Sequence, residues 1–248
     1  MFDLTGRCAL VTGSGQGVGA GIAATLAAQG AAVAVNDIIA ERAEAVVEHI
    51  RVAGGSAIAV VADVTNRAAI DDAIARVAAT HGPVDVLVNN AGIPLGRFPV
   101  LPFRELDPAT WDDVLQLNIY GVLNVTHAVI GGMCDRGWGR VVNISSEAGR
   151  MGIGADAGCT VYGAAKGAVV SFSRNLAPEV IEFGVTVNCV SLSLMEGNWA
   201  PPVPADGTWK QRLGKPADAG AAVAYLASDE AGWVTGQTLP VNGGYATS

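Results

Sequence analysis

Cys8-Ala9-Leu10-Val11-Thr12-Gly13-Ser14-Gly15-Gln16-Gly17-Val18-Gly19 is the stretch on which the fold turns. A short apolar run, Cys8 to Thr12, reads as a buried strand, and a helical stretch, Val18 to Gln29, follows the glycines. Glycines at such a junction allow a tight turn and let a pyrophosphate approach backbone N–H groups at the positive end of a helix. The dinucleotide spacing is imperfect. Gly13-x-Gly15 would need a small third residue where Val18 stands, and Gly15-x-Gly17-x-x-Ala20 begins late.

The same alternation continues along the chain. Ala32 to Asn36, Ile58 to Ala62, Val84 to Asn89, Arg140 to Ser145, Val185 to Val190 and Thr238 to Val241 are continuous apolar runs of strand length. Continuous hydrophobicity marks strands covered on both faces. Between them lie helical stretches near Ile39 to Ala53, Arg67 to Thr80, Pro108 to Cys134, Val161 to Phe183 and Pro216 to Ala227. This order predicts an α/β chain: a single-domain, doubly wound parallel sheet, Rossmann-like, of about seven strands with helices on both faces, spanning residues 1–248. Three irregular regions, about 93–106, 150–160 and 192–213, break the rhythm after strands, on the side where open sheets bind ligands.

Composition narrows the function classes. The net charge of −8 leaves no basic face for nucleic acid or an anionic membrane, so neither is expected as a partner. Half the residues are hydrophobic and 15% charged, a balance that suits burial of further surface between copies, a homo-oligomer. Cys8, Cys134, Cys159 and Cys189 have neither CxxC nor Cys/His spacing, and His49, His81 and His127 stand apart, so free thiols and no metal are expected. The first residues lack a signal-peptide pattern and no apolar stretch reads as a bilayer span, which points to the cytoplasm.

Two further features carry chemistry. Asp37 ends the second strand at the distance from the glycines expected of an acid that binds adenosine ribose hydroxyls. Its charge would repel a 2′-phosphate, no base stands among Ser14 to Gly17, and Ile38 and Ile39 are apolar, so NAD is favoured over NADP. The same acid could equally end the strand or cap the next helix. Tyr162 and Lys166 stand four apart on a helical stretch and share one face. A fixed ammonium beside a phenol lowers the phenol's pKa toward the range where it can exchange protons near neutrality. A packed ring and a solvated amine give the same spacing.

Taken in order with Asp63-Val64, Asn89-Asn90-Ala91-Gly92, Asn118, Asn143-Ile144-Ser145-Ser146, Arg212 to Pro216 and Val234 to Gly244, these features resemble the short-chain dehydrogenase/reductase family over nearly the whole chain. The family's glycine pattern is met by Gly13-x-x-x-Gly17-x-Gly19. The resemblance implies an oxidoreductase moving a hydride between NAD(H) and a secondary alcohol or ketone, usually as a homotetramer. It implies catalysis by Asn118, Ser146, Tyr162 and Lys166, with Ser145 as the rival serine. It implies cofactor contacts from Gly13, Gln16, Gly17, Val18, Gly19, Asp37, Asp63, Val64, Asn90, Ala91 and Gly92, and from Tyr162 and Lys166 at the nicotinamide ribose. Asn118 would hold a water that relays protons from Lys166.

The chain departs from the family in two places. Leu192-Ser193 stands for the usual Pro-Gly, with Gly197 at the usual Thr, and the interval from Ser146 to Tyr162 is about three residues longer than the family's, the excess falling around Ile153 to Thr160. Ile93, Leu95, Phe98, Met151, Ile153, Val161, Leu194, Met195 and Trp199 are candidate pocket residues, with Ser146, Ile153, Leu194 and Trp199 the nearest candidates for substrate contact. Their apolar character suits a bulky hydrophobic substrate resembling a steroid, a terpenoid or an acyl thioester. The alternatives are an NADPH-using 3-oxoacyl carrier-protein reductase and a non-enzymatic nucleotide sensor.

Overall fold

The valine- and alanine-rich runs form one sheet because each can be covered twice. The computed structural model describes residues 1–92, 101–152, 159–196 and 212–247. In it β1 (Cys8–Val11), β2 (Ala32–Asp37), β3 (Ser56–Val61), β4 (Val86–Asn89), β5 (Gly139–Ser146), β6 (Val185–Leu192) and β7 (Thr238–Val241) lie in the order β3-β2-β1-β4-β5-β6-β7. Every pairing is parallel. Alternate residues face opposite sides: Ala9 and Val11 of β1 enter one apolar core, and Cys8 and Leu10 enter the other.

The first core packs under α1 (Gly17–Ala28), α2 (Ala40–Val52) and α8 (Pro216–Ala227). The second packs under α3 (Arg67–His81), α5 (Gly121–Asp135) and α7 (Thr160–Val180). β1 sits between β2 and β4, so the strand order reverses there, and a crevice opens beyond the carboxyl ends of β1 and β4. Cys8, Cys134 and Cys189 carry free thiols; Cys8, Cys159 and Cys189 are buried and Cys134 is half-buried.

The stretch from Pro108 differs from the single helix expected. A 3-10 turn, Pro108–Thr110, leads into α4 (Trp111–Leu115), then a π-helical turn, Gln116–Tyr120, and then α5. The side-chain amide of Asn118 donates to the carbonyl of Val114 at 2.9 Å, the acceptor its own backbone N–H would use in an α-helix, and the ladder widens there. By length and composition the run Pro108–Asp135 reaches what a bilayer span requires, against the sequence expectation. It is a core helix: Val114, Asn118, Val122, Val125, Val129 and Met133 are buried against the sheet and neighbouring helices. A four-residue helix, α6 (Glu147–Arg150), was not expected from the sequence; one turn shows no periodicity.

Candidate active site

The glycine turn is drawn against the end of β4. Thr12 Oγ1 accepts from Asn90 N and Ala91 N, both at 3.0 Å, and Asn90 Nδ2 donates to the carbonyls of Thr12 (2.9 Å) and Gly13 (3.0 Å). Gly13 has φ +59, and a Cβ there would lie 2.8 Å from Ala91 Cα, so only glycine fits this approach. Gln16 and Gly17 are exposed, Val18 is half-buried and Gly19 is buried. Gln16 supplies no side-chain cap and the first turn of α1 carries no acid, so its backbone donors face an anion site.

Asp37 is buried and held by the backbone. Its Oδ2 accepts from Gly15 N at 3.1 Å and its Oδ1 from Ile39 N at 3.0 Å. Each carboxylate oxygen keeps one further lone pair for a ribose hydroxyl. A Cβ at Gly15 would lie 2.6 Å from Asp37 Oδ2 and 2.7 Å from Arg42 Cβ, so the first turn of α2 brings a guanidinium-bearing side chain to this corner. No base stands among Ser14 to Gly17 or next to Asp37 in the sequence; Arg42, on another element, is the base that the fold brings beside Gly15. Exposed Asp63 is committed to a turn, its Oδ1 accepting from Thr65 N and Oγ1, each at 2.8 Å. Val64 is buried and its carbonyl accepts from Asn124 Nδ2 at 3.0 Å.

At the other end, α7 presents Tyr162 and Lys166 to the turn that leaves β5. The Ser146 hydroxyl lies near enough to the Tyr162 phenol to act on it, lowering its pKa. Ser146 Oγ also accepts from Ala148 N at 3.3 Å. Ser145 is buried and its hydroxyl donates to the carbonyl of Lys166 at 3.0 Å, which separates the rival serines: one ties α7 to β5, the other meets the phenol. Lys166 Nζ donates to the carbonyl of Ile144 at 3.0 Å and lies 5.8 Å from the Tyr162 ring centroid. A Cβ at Gly92 would lie 2.9 Å from Asn118 Oδ1 and 3.3 Å from Lys166 Nζ, so the ends of β4, the π turn and α7 converge. Asn118 is fully buried and its Oδ1 has no partner among the described residues.

The electrostatics correct one expectation. Burial pushes the Tyr162 phenol up to about 12, against the nearby Ser146 hydroxyl, which acts to lower it. Burial likewise pushes the Lys166 ammonium down to about 8. The expected depression of the phenol by Lys166 does not appear: the ammonium is aimed at Ile144 O, and burial is the largest influence on the phenol.

Ile93, Leu95, Phe98, Ile153, Gly197 and Trp199 lie outside the described residues. Met151 is exposed, and Val161, Leu194 and Met195 are half-buried. Leu194 and Met195 line a cavity of about 510 Å³ with Arg212, Asp218 and the segment 240–244; it takes in neither Ser146 nor Tyr162. At the departure after β6, the hydroxyl of Ser193 is buried without a partner among the described residues. Among the described residues no three His, Cys, Asp or Glu side chains converge as metal ligands.

Comparison with known proteins places this geometry. A model of the short chain dehydrogenase family matches residues 7–206. Acetoacetyl-CoA reductase of Rhizobium meliloti is 40% identical over 248 residues, covering 96% of this chain and 98% of that protein. The 3-oxoacyl-(acyl-carrier-protein) reductase of Escherichia coli is 37% identical over 250 residues, covering 98% of each. Among solved structures, gluconate 5-dehydrogenase from Burkholderia cenocepacia, in complex with NADP and tartrate, superposes with TM-score 0.88 at 33% identity, covering 98% of this chain and 96% of that one.

Proposed function

Because the chain belongs to the short-chain dehydrogenase family, we propose that it interconverts a secondary alcohol and a ketone on a bulky hydrophobic substrate with NAD(H), through Tyr162, Ser146, Lys166 and Asn118. The observation that carries the reading is the hydroxyl pair of Tyr162 and Ser146, with a buried lysine one turn along α7. Oxidoreduction of alcohol and ketone groups with a nicotinamide cofactor is the family's chemistry; the cofactor and substrate chosen here are our reading.

The residues present fit such a cofactor. The glycine turn and the uncapped start of α1 suit the pyrophosphate, Asp37 the adenosine ribose, and Asp63 with Val64 the adenine. Asn90, Ala91 and Gly92 form the wall between the two halves, and the orphan hydroxyl of Ser193 suits a carboxamide where the usual Thr is missing. When bound, the nicotinamide supplies or accepts a hydride at the carbinol carbon. The chain's own task is the proton on the substrate oxygen. Held at about 12, the Tyr162 phenol keeps its proton through the neutral range and donates it to the oxygen as negative charge develops in reduction; in oxidation the same phenolic oxygen takes the alcohol proton as hydride departs. The Ser146 hydroxyl donates to the same oxygen. Lys166, cationic below about pH 8, with a water on the free Asn118 Oδ1, returns a proton toward Tyr162.

An acyl thioester is the substrate class that two relatives' names favour. NADP is the second reading, favoured by Arg42 beside Gly15 and by the cofactor of the gluconate dehydrogenase structure. Self-association belongs to the same proposal and is supported by Tyr120 and Leu123, exposed on the long apolar helical run. The test follows reduced-cofactor absorbance with NADH and NADPH over acetoacetyl-CoA, 5-ketogluconate and a hydrophobic cyclic ketone. Tyr162→Phe should lower kcat by about 10³-fold or more with cofactor affinity within twofold; an active variant would remove Tyr162 from the chemistry.

A further inference from the structure

We propose that Glu147, strung between Ser191 and Arg150, is a positioning residue that fixes the corner carrying Ser146. The inference rests on the roles given above to Ser146 and Tyr162. Glu147 follows Ser146 directly, opens α6 and is 2% exposed. A carboxylate that deep is strongly unfavourable unless paired and hydrogen-bonded. Both of its oxygens are engaged: Oε1 accepts from Ser191 Oγ at 2.7 Å, and Oε2 from Arg150 Nη2 at 3.1 Å and Nε at 3.3 Å. The Arg150 side chain is itself only 15% exposed.

Ser191 lies on β6, opposite Ser145 in the strand register. Its bond therefore crosses from β6 into the turn that leaves β5, and the ion pair ties the first residue of α6 to the last. A helix of four residues cannot hold its place by its own hydrogen bonds. The opposite side of α6 is pressed onto α7: a Cβ at Gly149 would lie 2.5 Å from the carbonyl carbon of Lys166, and one at Gly163 would lie 2.7 Å from Ala148 O. So α6 is clamped between β6 and the turn of α7 that carries Tyr162 and Lys166.

Ser146 Oγ accepts from Ala148 N at 3.3 Å, and the same hydroxyl is close enough to Tyr162 to lower the phenol's pKa. A slide of α6 carries the Ala148 N–H with it and turns the serine hydroxyl away from the phenol. An apolar side chain at position 147 would fill the space without fixing a direction. A carboxylate held by three donor contacts fixes it. Misplacing a reacting group by about 1 Å costs on the order of 100-fold in rate.

The test uses Ser191→Ala, Glu147→Gln and Glu147→Ala in the full chain, with acetoacetyl-CoA and NADH as the probe and activity normalised to protein that binds NADH by fluorescence. Ser191→Ala should lower kcat about 10- to 100-fold with NADH affinity within twofold, and Glu147→Gln, which keeps an acceptor for Ser191, should recover much of what Glu147→Ala loses. NMR of ring-labelled tyrosine at neutral pH, with the Tyr162 signal assigned by its loss in Tyr162→Phe, should show that signal displaced in Ser191→Ala. This arm needs no turnover and decides alone if wild type does not reduce the probe. Unchanged kcat with an unmoved signal, a loss confined to KM, or failure of Ser191→Ala to fold would overturn the proposal, the last by making the strap a folding element only. Full activity in Tyr162→Phe would instead sink the functional reading beneath it.

Discussion

Replacing Lys166 with methionine should stabilise the protein at neutral pH while abolishing its activity. Lys166 is 4% exposed, its ammonium donates to Ile144 O, and burial pulls its pKa from 10.5 to about 8. Between those two values the unfolded chain holds a proton that the folded chain has released, so stability climbs with pH across that window. Below about pH 8 the folded protein carries the whole cost of a desolvated cation. At about 1.4 kcal/mol per tenfold, the fall from 10.5 to about 8 amounts to about 3 kcal/mol. Methionine has similar length and no charge, but it leaves the Ile144 carbonyl without its donor, a loss of about 1 kcal/mol. The net gain is about 2 kcal/mol at pH 7, or roughly 4–8 °C in Tm for a chain of this size. Thermal unfolding of both proteins at pH 7 and pH 10, at one protein concentration, measures it. The gap should close toward pH 10. Tyr162 does not interfere, because a phenol raised from 10.0 to about 12 loses its stabilising proton only above that range. A Lys166→Met protein no more stable than wild type at pH 7, or a gap unchanged at pH 10, would show that Lys166 is not a buried cation and would refute the reasoning.

Asp37→Asn puts an amide donor against the N–H of Gly15 or Ile39, so steady-state kcat/KM with NAD should fall about 10- to 100-fold. With the charge gone, the NADP/NAD ratio should rise; an unmoved ratio would mean that Asp37 serves only the loop. Trp138→Ala should cost about 2 kcal/mol by thermal unfolding and leave kcat unchanged. The ring lies 3.6 Å from Arg7 Cζ and 4.3 Å from Arg140 Cζ by centroid, its Nε1 donates to Asp229 at 2.9 Å, and the cluster sits at the start of β5, the far edge from the site.

The fold was legible because parallel strands buried on both faces must be apolar at every position, and few other elements are. β7 and α8 fall where the sequence puts them. The misses have physical causes. β6 runs past the expected Val190 to Leu192: a serine does not end a strand when its hydroxyl is spoken for, as that of Ser191 is by Glu147. The π turn was hidden because it depends on a side-chain amide competing for one carbonyl, which no propensity encodes. Arg42 was missed because its neighbour, Gly15, lies on another element.

The candidate site shows the same division more sharply. Spacing along α7 is enough to put Tyr162 and Lys166 on one face, and motif order is enough to bring Ser146 and Asn118 to them. What spacing cannot supply is the field each group feels, since that depends on how much water the other elements exclude. Spacing alone gives Lys166 an influence that lowers the phenol; burial in the folded chain is a larger and opposite one, and pushes the phenol up to about 12 and the ammonium down to about 8. Two groups shifted toward their neutral forms, a phenol that holds its proton and an amine close to losing one, make a proton donor with a resupply behind it. Burial, which the motif does not encode, decides which proton each group holds in the chain alone, the phenol keeping its own and the ammonium held less firmly.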